Sequence, residues 1–470
     1  MSNDSRKLTR REFIRLAATA TGAAVIASCA PAPQPAPAPT QVPAGATPIP
    51  ATKAAATKVP ATATPLPPKG AIEVTWWRSL SGINGQELDK MVADFNKSQS
   101  KIFVKGEFQG AYGELRDKLT AAVAAGGSAM PDMVMLADTM FANFARNKRL
   151  EPLDDLIKGS NGLDLGDFWG VVERGKLDGV YYQLPIGVST PVFYYNEDAL
   201  KKAGFSGPPK TWDQFFNEYA PKATVVEGGK TALYGFIFLA NVDWWWQQSY
   251  AWMHGGELSD DKWNTYFDSP QVIEFLTRMQ KLFQAGQAYL PTKADGSALA
   301  YFGSGKGAML IESTGVIGRI DETAGGRFKP GVSYLPEGTA GRKVPTGGAG
   351  LCIMAGRTPE KKQAAWEFIR WMEQPEQIAR FSKVSGYLPF TKKAADAMKD
   401  VLDKDPRRKI AIEQLAWSRG QSTIQTVPRA VDVYYDAMLQ VLNLKADPKT
   451  LMPQIQKQVQ QILVEEGLKK

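Results

Sequence analysis

The sequence predicts an α/β fold, and three observations lead to this prediction. Residues 72–77 alternate and are β-rich, as in a strand. Residues 85–96 instead carry apolar side chains at helical spacing, among them Leu88, Met91 and Phe95. Strand and helix then follow one another repeatedly, which is typical of an open sheet covered by helices. At 470 residues the chain has room for about two or three domains.

The elements further along the chain continue this alternation. The later predicted strands are 102–108, 133–136, 308–311 and 351–354. The later predicted helices are 112–125, 139–147, 197–203, 271–284, 359–380 and several between 407 and 467. Thr211 is predicted to be an N-cap, because its hydroxyl can accept a hydrogen bond from the first turn of a helix. We interpret residues 185–192 as a crossing between two lobes.

The first 29 residues are predicted to be a signal peptide. Arg10 and Arg11, with Phe13 and Ile14 just behind them, resemble the twin-arginine export signal. The uncharged stretch 16–28 is too short to span a bilayer as a mature helix. The alternative is an ordinary basic helix start. The sequence therefore predicts an exported protein.

A lipid anchor and a tether are predicted next. Residues 26–29 read Ile-Ala-Ser-Cys and are similar to the bacterial lipobox, in which the cysteine sulfur receives diacylglycerol. Cys29 would then anchor the mature protein to the outer face of the cell membrane without a spanning helix. Residues 30–68 consist mostly of Ala, Pro and Thr, which predicts a disordered, extended linker.

The composition excludes several classes of function. The formal net charge is +8, but charges of both signs alternate along most of the chain, so we predict no nucleic-acid partner. The single histidine, His254, excludes most histidine-based metal sites and nucleophile–histidine pairs, and no metal or cofactor is predicted. Cys352 lies in an apolar run and is predicted to be an inert core thiol. After Cys29 no apolar run of eighteen residues occurs, so we predict no membrane span there.

Loop residues at one rim of the sheet are the first site candidates. In an open sheet, the loops that leave the carboxyl ends of the strands gather on one side, where ligands bind. Trp77, Arg78 and Ser79 follow the first strand, and Arg78 can bind two oxygens of a solute. Asp138 follows the third strand, and its carboxylate can accept two hydroxyl hydrogens. Core packing of Trp77 and a helix-capping role for Asp138 are equally plausible.

The strongest aromatic concentration is Trp244, Trp245 and Trp246. Three adjacent indoles cannot all face one core, so we expect at least one to stack on a ligand. Sugars present hydroxyls and weakly apolar ring faces, and their sites combine aromatic platforms with hydrogen-bonding groups. The pattern therefore favours a small polar solute.

The order of these elements resembles the family 1 extracellular solute-binding proteins of ABC importers over roughly residues 71–440. Within that family it looks most similar to the glycerol-phosphate-binding branch. The segments that carry the resemblance are STPVFYYN at 189–196, PKTW at 209–212, GKGAM at 305–309 and SGYLP at 385–389.

The resemblance implies a type II periplasmic-binding-protein fold, with two lobes, a hinge and an interlobe cleft. Residues 71–189 plus 347–388 would form one lobe, and residues 190–346 plus 389–470 the other. A solute would stabilise the closed form, which the membrane permease of an ABC importer then recognises. No bond in the solute changes, so no enzyme activity or catalytic residue is expected, and the protein is expected to be a monomer.

The resemblance also implies ligand contacts. Matching positions of the family pattern are Tyr112, Asp138, Ser189, Ser313, Gly348 and Tyr387. One departure concerns charge: the glycerol-phosphate branch carries an arginine just before a late Met-Pro pair, whereas here Arg429 follows the corresponding proline. A neutral sugar is therefore as plausible a ligand as a phosphorylated glycerol.

Two other classes of function compete with solute import. An exported glycosidase would need a close pair of carboxylates, and Asp138 is the one acid that the sequence places at the cleft. A surface sensory or adhesion module on the same fold would bind solute without feeding a transporter.

Overall fold

A computed structural model describes residues 67–239 and 244–469. All of them belong to one compact unit, Pro65–Lys470. The predicted signal peptide, lipobox, Cys29 and most of the linker lie outside the described residues.

The strands are described first because they carry the site. In chain order they are β1 (Ile72–Arg78), β2 (Ile102–Phe108), β3 (Met133–Ala137), β4 (Lys176–Leu177), β5 (Val180–Tyr181), β6 (Leu184–Ser189), β7 (Pro191–Asn196), β8 (Val225–Glu227), β9 (Lys230–Ile237), β10 (Ala288–Tyr289), β11 (Gly307–Ser313), β12 (Pro330–Ser333), β13 (Val344–Pro345), β14 (Gly347–Ile353) and β15 (Ser418–Arg419).

Helices separate most of these strands. In chain order they are α1 (Gly82–Ser98), α2 (Tyr112–Ala125), α3 (Phe141–Arg146), α4 (Asp154–Lys158), α5 (Glu197–Lys202), α6 (Trp212–Gln214), α7 (Ala220–Ala223), α8 (Gln248–Met253), α9 (Pro270–Gln284), α10 (Ala298–Tyr301), α11 (Ile317–Ala324), α12 (Pro359–Met372), α13 (Pro375–Ser385), α14 (Lys392–Asp396), α15 (Lys399–Lys404), α16 (Pro406–Glu413), α17 (Pro428–Leu442) and α18 (Pro448–Glu465). The predicted α/β fold is confirmed.

Two mixed sheets organise the described chain. The first has the strand order β2-β1-β3-β14-β6, with β1 parallel to β2 and β3, and β14 antiparallel to its neighbours. The second has the order β10-β9-β11-β7-β12, and β8 pairs with β9 beside it. The chain passes from the first sheet to the second between β6 and β7, which are separated by Thr190 alone.

Helices cover both faces of the first sheet. Trp76 of β1 is fully buried on one face, in the same apolar cluster as residues of α1 and α12. On the other face Val134 of β3 packs with residues of α2 and α3. The second sheet is covered largely by α9, α17 and α18, which share its main cluster. Each sheet therefore has its own core, and the loops at the sheet ends remain available for binding.

One predicted helix is wrong in its length. Residues 359–380 were expected to form a single helix, but α12 ends at Met372 and α13 begins at Pro375. Proline has no backbone N–H and its ring clashes with the preceding turn, so it starts a helix more readily than it continues one. Across the described ranges, none of the helices combines the length and the apolar character needed to cross a membrane.

Candidate functional site

A cavity of about 480 Å³ lies between the ends of the two sheets. Its walls on one side come from the loops after β1, β2 and β3, and on the other from the end of β11 and the start of α11. This is the rim on which the sequence predicted a site. The predicted residues that line the cavity are Ser79, Tyr112, Ser189, Trp245, Ser313, Gly348 and Tyr387.

Tyr387 lines this cavity where the two sheets meet. A Cβ atom on Gly187 of β6 would lie 2.9 Å from its ring, and one on Gly315, after β11, would lie 2.8 Å from Cζ. Its hydroxyl lies 3.4 Å from that of Tyr112. Burial raises the pKa of the Tyr387 phenol, which therefore stays neutral and can donate a hydrogen bond. Two glycines thus hold one phenol ring between the sheets.

Trp245 supplies an indole to the same cavity. Its Nε1 donates a hydrogen bond to the Thr346 carbonyl at 3.2 Å, which fixes the ring. A Cβ atom on Gly347 would lie 2.6 Å from that ring, so glycine is required for the close approach. Phe108, 50% exposed, adds a further aromatic face at the cavity wall. These rings offer the apolar platforms expected for a sugar-like solute.

Buried polar groups with unused hydrogen-bonding capacity also face the cavity. Ser79 is 1% exposed, and its Oγ has no hydrogen-bond partner among the described residues. Asn84 donates from Nδ2 to the Gly315 carbonyl at 3.1 Å, which links the two sides of the cavity, while its Oδ1 is unpartnered. Buried polar groups are normally paired, so these two atoms are free to form hydrogen bonds with a solute in the cavity.

Two charged residues of the cavity were missed by the sequence analysis. Glu312 lies near the end of β11 and accepts a hydrogen bond from the Ser313 amide at 2.7 Å. Burial raises the pKa of its carboxyl, and the Ser313 amide and the Arg319 charge offset only part of that effect. Applying the strand-end argument to the second sheet would have found Glu312. Arg319 lies inside α11, where no sequence signal marked it.

Trp77 and Arg78 lie outside the cavity, contrary to the expectation. The reason is that β1 continues through Arg78, so Ser79 is the first residue past its end. Trp77 lies opposite Glu107 in the parallel pair, and its Nε1 donates to that carboxylate at 3.1 Å. Arg78 is 5% exposed and forms an ion pair with Asp89 of α1. The alternating pattern predicted a strand that ends at residue 77, one residue earlier than the observed end, and this difference moves the start of the loop to Ser79.

Asp138 also lies away from the cavity. Its carboxylate pairs with Arg174, and both side chains are largely buried. Together they line a separate small pocket with Gln183 and Val188. The Asp138 amide donates to the carbonyl of Gly348, a cavity residue, at 3.3 Å. Asp138 is thus adjacent to the site, with its side chain directed into a structural ion pair.

Of the three adjacent tryptophans, only Trp245 reaches the cavity. Trp244 is fully buried, with its ring 4.3 Å from Tyr434 and 5.4 Å from Phe267. Trp246 is fully buried beside Phe238, and its Nε1 donates to the Leu239 carbonyl. All three rings, including that of Trp245, which is 6% exposed, belong to the main apolar cluster of the second sheet. The expectation that three adjacent indoles cannot share one core is therefore wrong, although Trp245 also lines the cavity.

The arginine that departs from the family pattern, Arg429, does not line the cavity. Arg429 is half-exposed and pairs with Glu465 and Glu466 at the far end of the C-terminal helices. Gln421 lines the cavity instead. Cys352 is fully buried and accepts a hydrogen bond from Gln183, and burial raises the pKa of its thiol, as expected for an unreactive sulfur.

Two sheets that flank a cavity and are joined by short crossings define a class of two-lobed binding proteins that close on a small solute. The model of the family of bacterial extracellular solute-binding proteins matches residues 90–410, and the chain belongs to this family. Its fold is the type II periplasmic-binding-protein fold. Proteins of this class bind small molecules outside the cytoplasm and deliver them to the permease of an ABC importer.

Named relatives narrow this class. The sn-glycerol-3-phosphate-binding periplasmic protein UgpB of Rhizobium meliloti is 28% identical over 408 residues, which cover 82% of this chain and 92% of that protein. The crystal structure of UgpB from Mycobacterium tuberculosis in complex with glycerophosphocholine is 30% identical, with a TM-score of 0.75, and the match covers 84% of this chain and 100% of that one.

A more distant structure confirms the fold. An ABC substrate-binding protein from Listeria monocytogenes, in complex with cycloalternan, matches with a TM-score of 0.74 at 22% identity, over 84% of this chain and 99% of that chain. These relatives are binding proteins. The predicted family, fold and solute-binding function for an ABC importer are confirmed.

Proposed function

We propose that the protein captures a small hydroxyl-rich solute, either a carbohydrate or a glycerol-phosphate-like compound, by closing two lobes around it. The observation that carries this proposal is the cavity itself. Trp245, Phe108 and Tyr387 supply ring faces, while Ser79 and Asn84 supply hydrogen-bonding atoms that the described chain leaves unpaired. Such a site binds a solute that is polar around its edge and apolar on its faces.

The lobes in this proposal follow the two sheets. Residues 71–189 plus 347–388 contain every strand of the first sheet, and residues 190–346 plus 389–470 contain the second. Because the cavity draws residues from both, a bound solute would contact both lobes and favour the closed form. The closed form would then be the one that the permease recognises.

The experiment is a ligand screen on the purified protein. Monosaccharides, disaccharides, glycerol 3-phosphate and glycerophosphocholine are added in turn, and the thermal midpoint and tryptophan fluorescence are followed. At least one compound should raise the midpoint, because a ligand that binds only the folded state stabilises it. Chemical turnover of a compound that binds would contradict the proposal.

Tyr387→Ala tests whether this cavity is the site. Removing this ring from the cavity wall should weaken binding at least tenfold, about 1.4 kcal/mol. Tyr266→Ala is the matched control, because Tyr266 is 37% exposed and does not line the cavity. Equal affinity for both variants would remove the cavity from the proposal.

The mode of membrane attachment is proposed from the sequence. We infer that the twin-arginine signal exports the chain and that Cys29 is lipidated. Residues 30–68 would then connect the lipid anchor to the folded unit, which we propose to be a monomer. Cys29→Ser should release the protein from the membrane fraction of the producing cell. A variant that stays membrane-bound would contradict the lipid anchor.

A glycosidase is less well supported by the site. Among the residues that line the cavity in the described chain, Glu312 is the one carboxylate. Glycoside hydrolysis ordinarily requires two carboxyl groups on either side of the bond that breaks. We therefore propose binding without catalysis.

A further inference from the structure

A second space lies beside the crossings between the two sheets and shares no lining residue with the cavity. Its volume is about 510 Å³. We call it the hinge pocket and define it by six side chains, Trp169, Val171, Arg174, Ile412, Leu415 and Arg419. On the proposed division of the chain, the first three belong to one lobe and the last three to the other.

A pair of short strands separates the hinge pocket from the cavity. The strands β13 and β15 are parallel neighbours, and each is followed directly by a residue of the hinge pocket, Thr346 and Gly420 respectively. The next residue along each segment, Gly347 or Gln421, lines the cavity instead. The paired segments therefore form a wall, with the cavity on one side and the hinge pocket on the other.

The walls of the hinge pocket are mainly apolar. The ring of Trp169 and the side chains of Val171, Ile412 and Leu415 line it, and all four residues are partly exposed. Apolar side chains that surround a concave space and remain in contact with water favour a ligand with an apolar body. A sugar, which is polar around its whole edge, suits this lining less well than the cavity.

The charges of the hinge pocket have one sign. Within the described chain its charged lining residues are Arg174 and Arg419, and both are basic. Arg419 pairs with Glu257 at 2.9 Å, and Arg174 pairs with Asp138 through Nη2. The Nη1 of Arg174 is buried and has no hydrogen-bond partner within the described ranges. A carboxylate is a strong acceptor for such a donor, whereas a cation would meet no opposite charge in this lining.

We propose that the hinge pocket binds a small monocarboxylic acid with an apolar body and that its occupancy favours the closed form. The second part rests on the proposed function. When two lobes turn about their crossings, a space behind the crossings changes in the opposite sense to the cleft. An acid that contacts both lobes stabilises the arrangement in which the hinge pocket is open, and by linkage it raises the affinity of the cavity for its solute.

The first test uses three probes that share a phenyl ring and differ in charge: benzoate, benzamide and benzylamine. Each is added to the purified full chain, and binding is followed by ligand-observed NMR and by the thermal midpoint. Benzoate should bind saturably and raise the midpoint. Benzamide should bind about threefold or more weakly, because it lacks the charge, and benzylamine should not bind. Equal binding of all three probes would overturn the carboxylate preference.

Variants that fill the hinge pocket place the probe. Gly420→Phe adds a ring at an exposed position where a Cβ atom would meet nothing within 4 Å, and it should weaken benzoate binding at least tenfold. Gly207→Phe is the matched control, because its Cβ position is equally open and it lines neither space. Gly170→Phe fills the pocket from the other lobe and serves if Gly420→Phe folds poorly. Benzoate that binds equally to wild type and to a folded filling variant occupies another site, which overturns the proposal.

X-ray scattering tests the link to closure. Saturating benzoate should reduce the radius of gyration of the wild-type protein and leave that of Gly420→Phe unchanged. If benzoate binds in the hinge pocket without this change, the pocket stands and its effect on closure is overturned. Failure of the benzoate tests leaves the proposed function intact, because that function is tested by solutes in the cavity. Conversely, if no solute binds but benzoate does, the proposed function fails and the hinge pocket stands.

Discussion

At the scale of single residues, Asp138 lies where the sequence predicted, directly after the strand β3, but its side chain forms an ion pair with Arg174 and does not line the cavity. Burial lowers the pKa of the Arg174 guanidinium to about 9, which still leaves the group charged at neutral pH beside the Asp138 carboxylate. Asp138 thus supports the cavity wall without touching its contents.

Asp138→Asn should therefore destabilise the fold more than it changes binding. Removing one partner leaves a buried charge uncompensated, which costs roughly 3 kcal/mol of unfolding free energy. Urea unfolding measures this loss, and titration at a temperature where the variant is folded should give nearly wild-type affinity. If stability is unchanged and binding is at least tenfold weaker, Asp138 contacts the ligand and this prediction is wrong.

Glu312 is expected to make binding depend on pH. The pKa of its carboxyl is raised by burial, so the group takes up a proton as the pH falls from neutral through that raised value, above the range of an ordinary glutamate. The charged and titratable groups coupled to it are Arg319, Tyr194 and Tyr387, and both phenols have raised pKa values. Both phenols therefore stay neutral as the pH falls, and Glu312 is the group of this set whose charge we expect to change.

Protonation removes a negative charge from the cavity, so affinity for an anionic solute should rise as the pH falls through the raised pKa of Glu312. Titrations that start at neutral pH and proceed downwards measure this change. Glu312→Gln should bind an anion more tightly at neutral pH and show a flatter profile. A profile identical to that of wild type would exclude Glu312 as the titrating group.

At the scale of elements, Thr211 is an N-cap as predicted, and its Oγ1 accepts a hydrogen bond from the Gln214 amide at 3.2 Å. Thr211→Ala should cost about 1 kcal/mol of unfolding free energy, because the first-turn amide loses its acceptor. Thr120→Ala is the control, since Thr120 is exposed on α2 and donates only to its own helix. Equal urea midpoints for both variants would contradict the capping role.

The sequence predicted the bounds of helices and strands better than it predicted which side chains line the cavity. The bounds of β2 and α2 agree with the structure to the residue, because periodicity reports which faces are buried. Periodicity could not report that Trp245, alone of the three tryptophans, would line the cavity, because that depends on the close approach of Gly347. Arg319 was hidden for the same reason: its approach to Gly82 exists only after both sheets have assembled.

At the scale of the whole molecule, Arg146 makes side-chain contacts between the two proposed lobes, and we expect these contacts to favour the closed form. Arg146, at the end of α3, donates to the Thr426 carbonyl at 3.1 Å and to its Oγ1 at 2.8 Å. Its guanidinium also lies over the ring of Trp263, 5.4 Å from the centroid. On the proposed division, Arg146 belongs to one lobe, and Thr426 and Trp263 belong to the other. None of the three lines the cavity.

Arg146→Ala should therefore weaken ligand binding, although the Arg146 side chain does not line the cavity. The solute is expected to bind the closed form most tightly, so any loss of closed-state stability lowers the apparent affinity, here by roughly tenfold or about 1.4 kcal/mol.

Arg149→Ala is the matched control, because the Arg149 side chain is exposed and the hydrogen bonds of this residue are made by its backbone. Affinity from calorimetry and the radius of gyration from X-ray scattering, with and without saturating ligand, distinguish the cases. The Arg146 variant should still contract when saturated, at a higher ligand concentration, since the ligand's own contacts with both sides remain. Wild-type affinity in Arg146→Ala, or an equal loss in Arg149→Ala, would show that this contact does not contribute to closure.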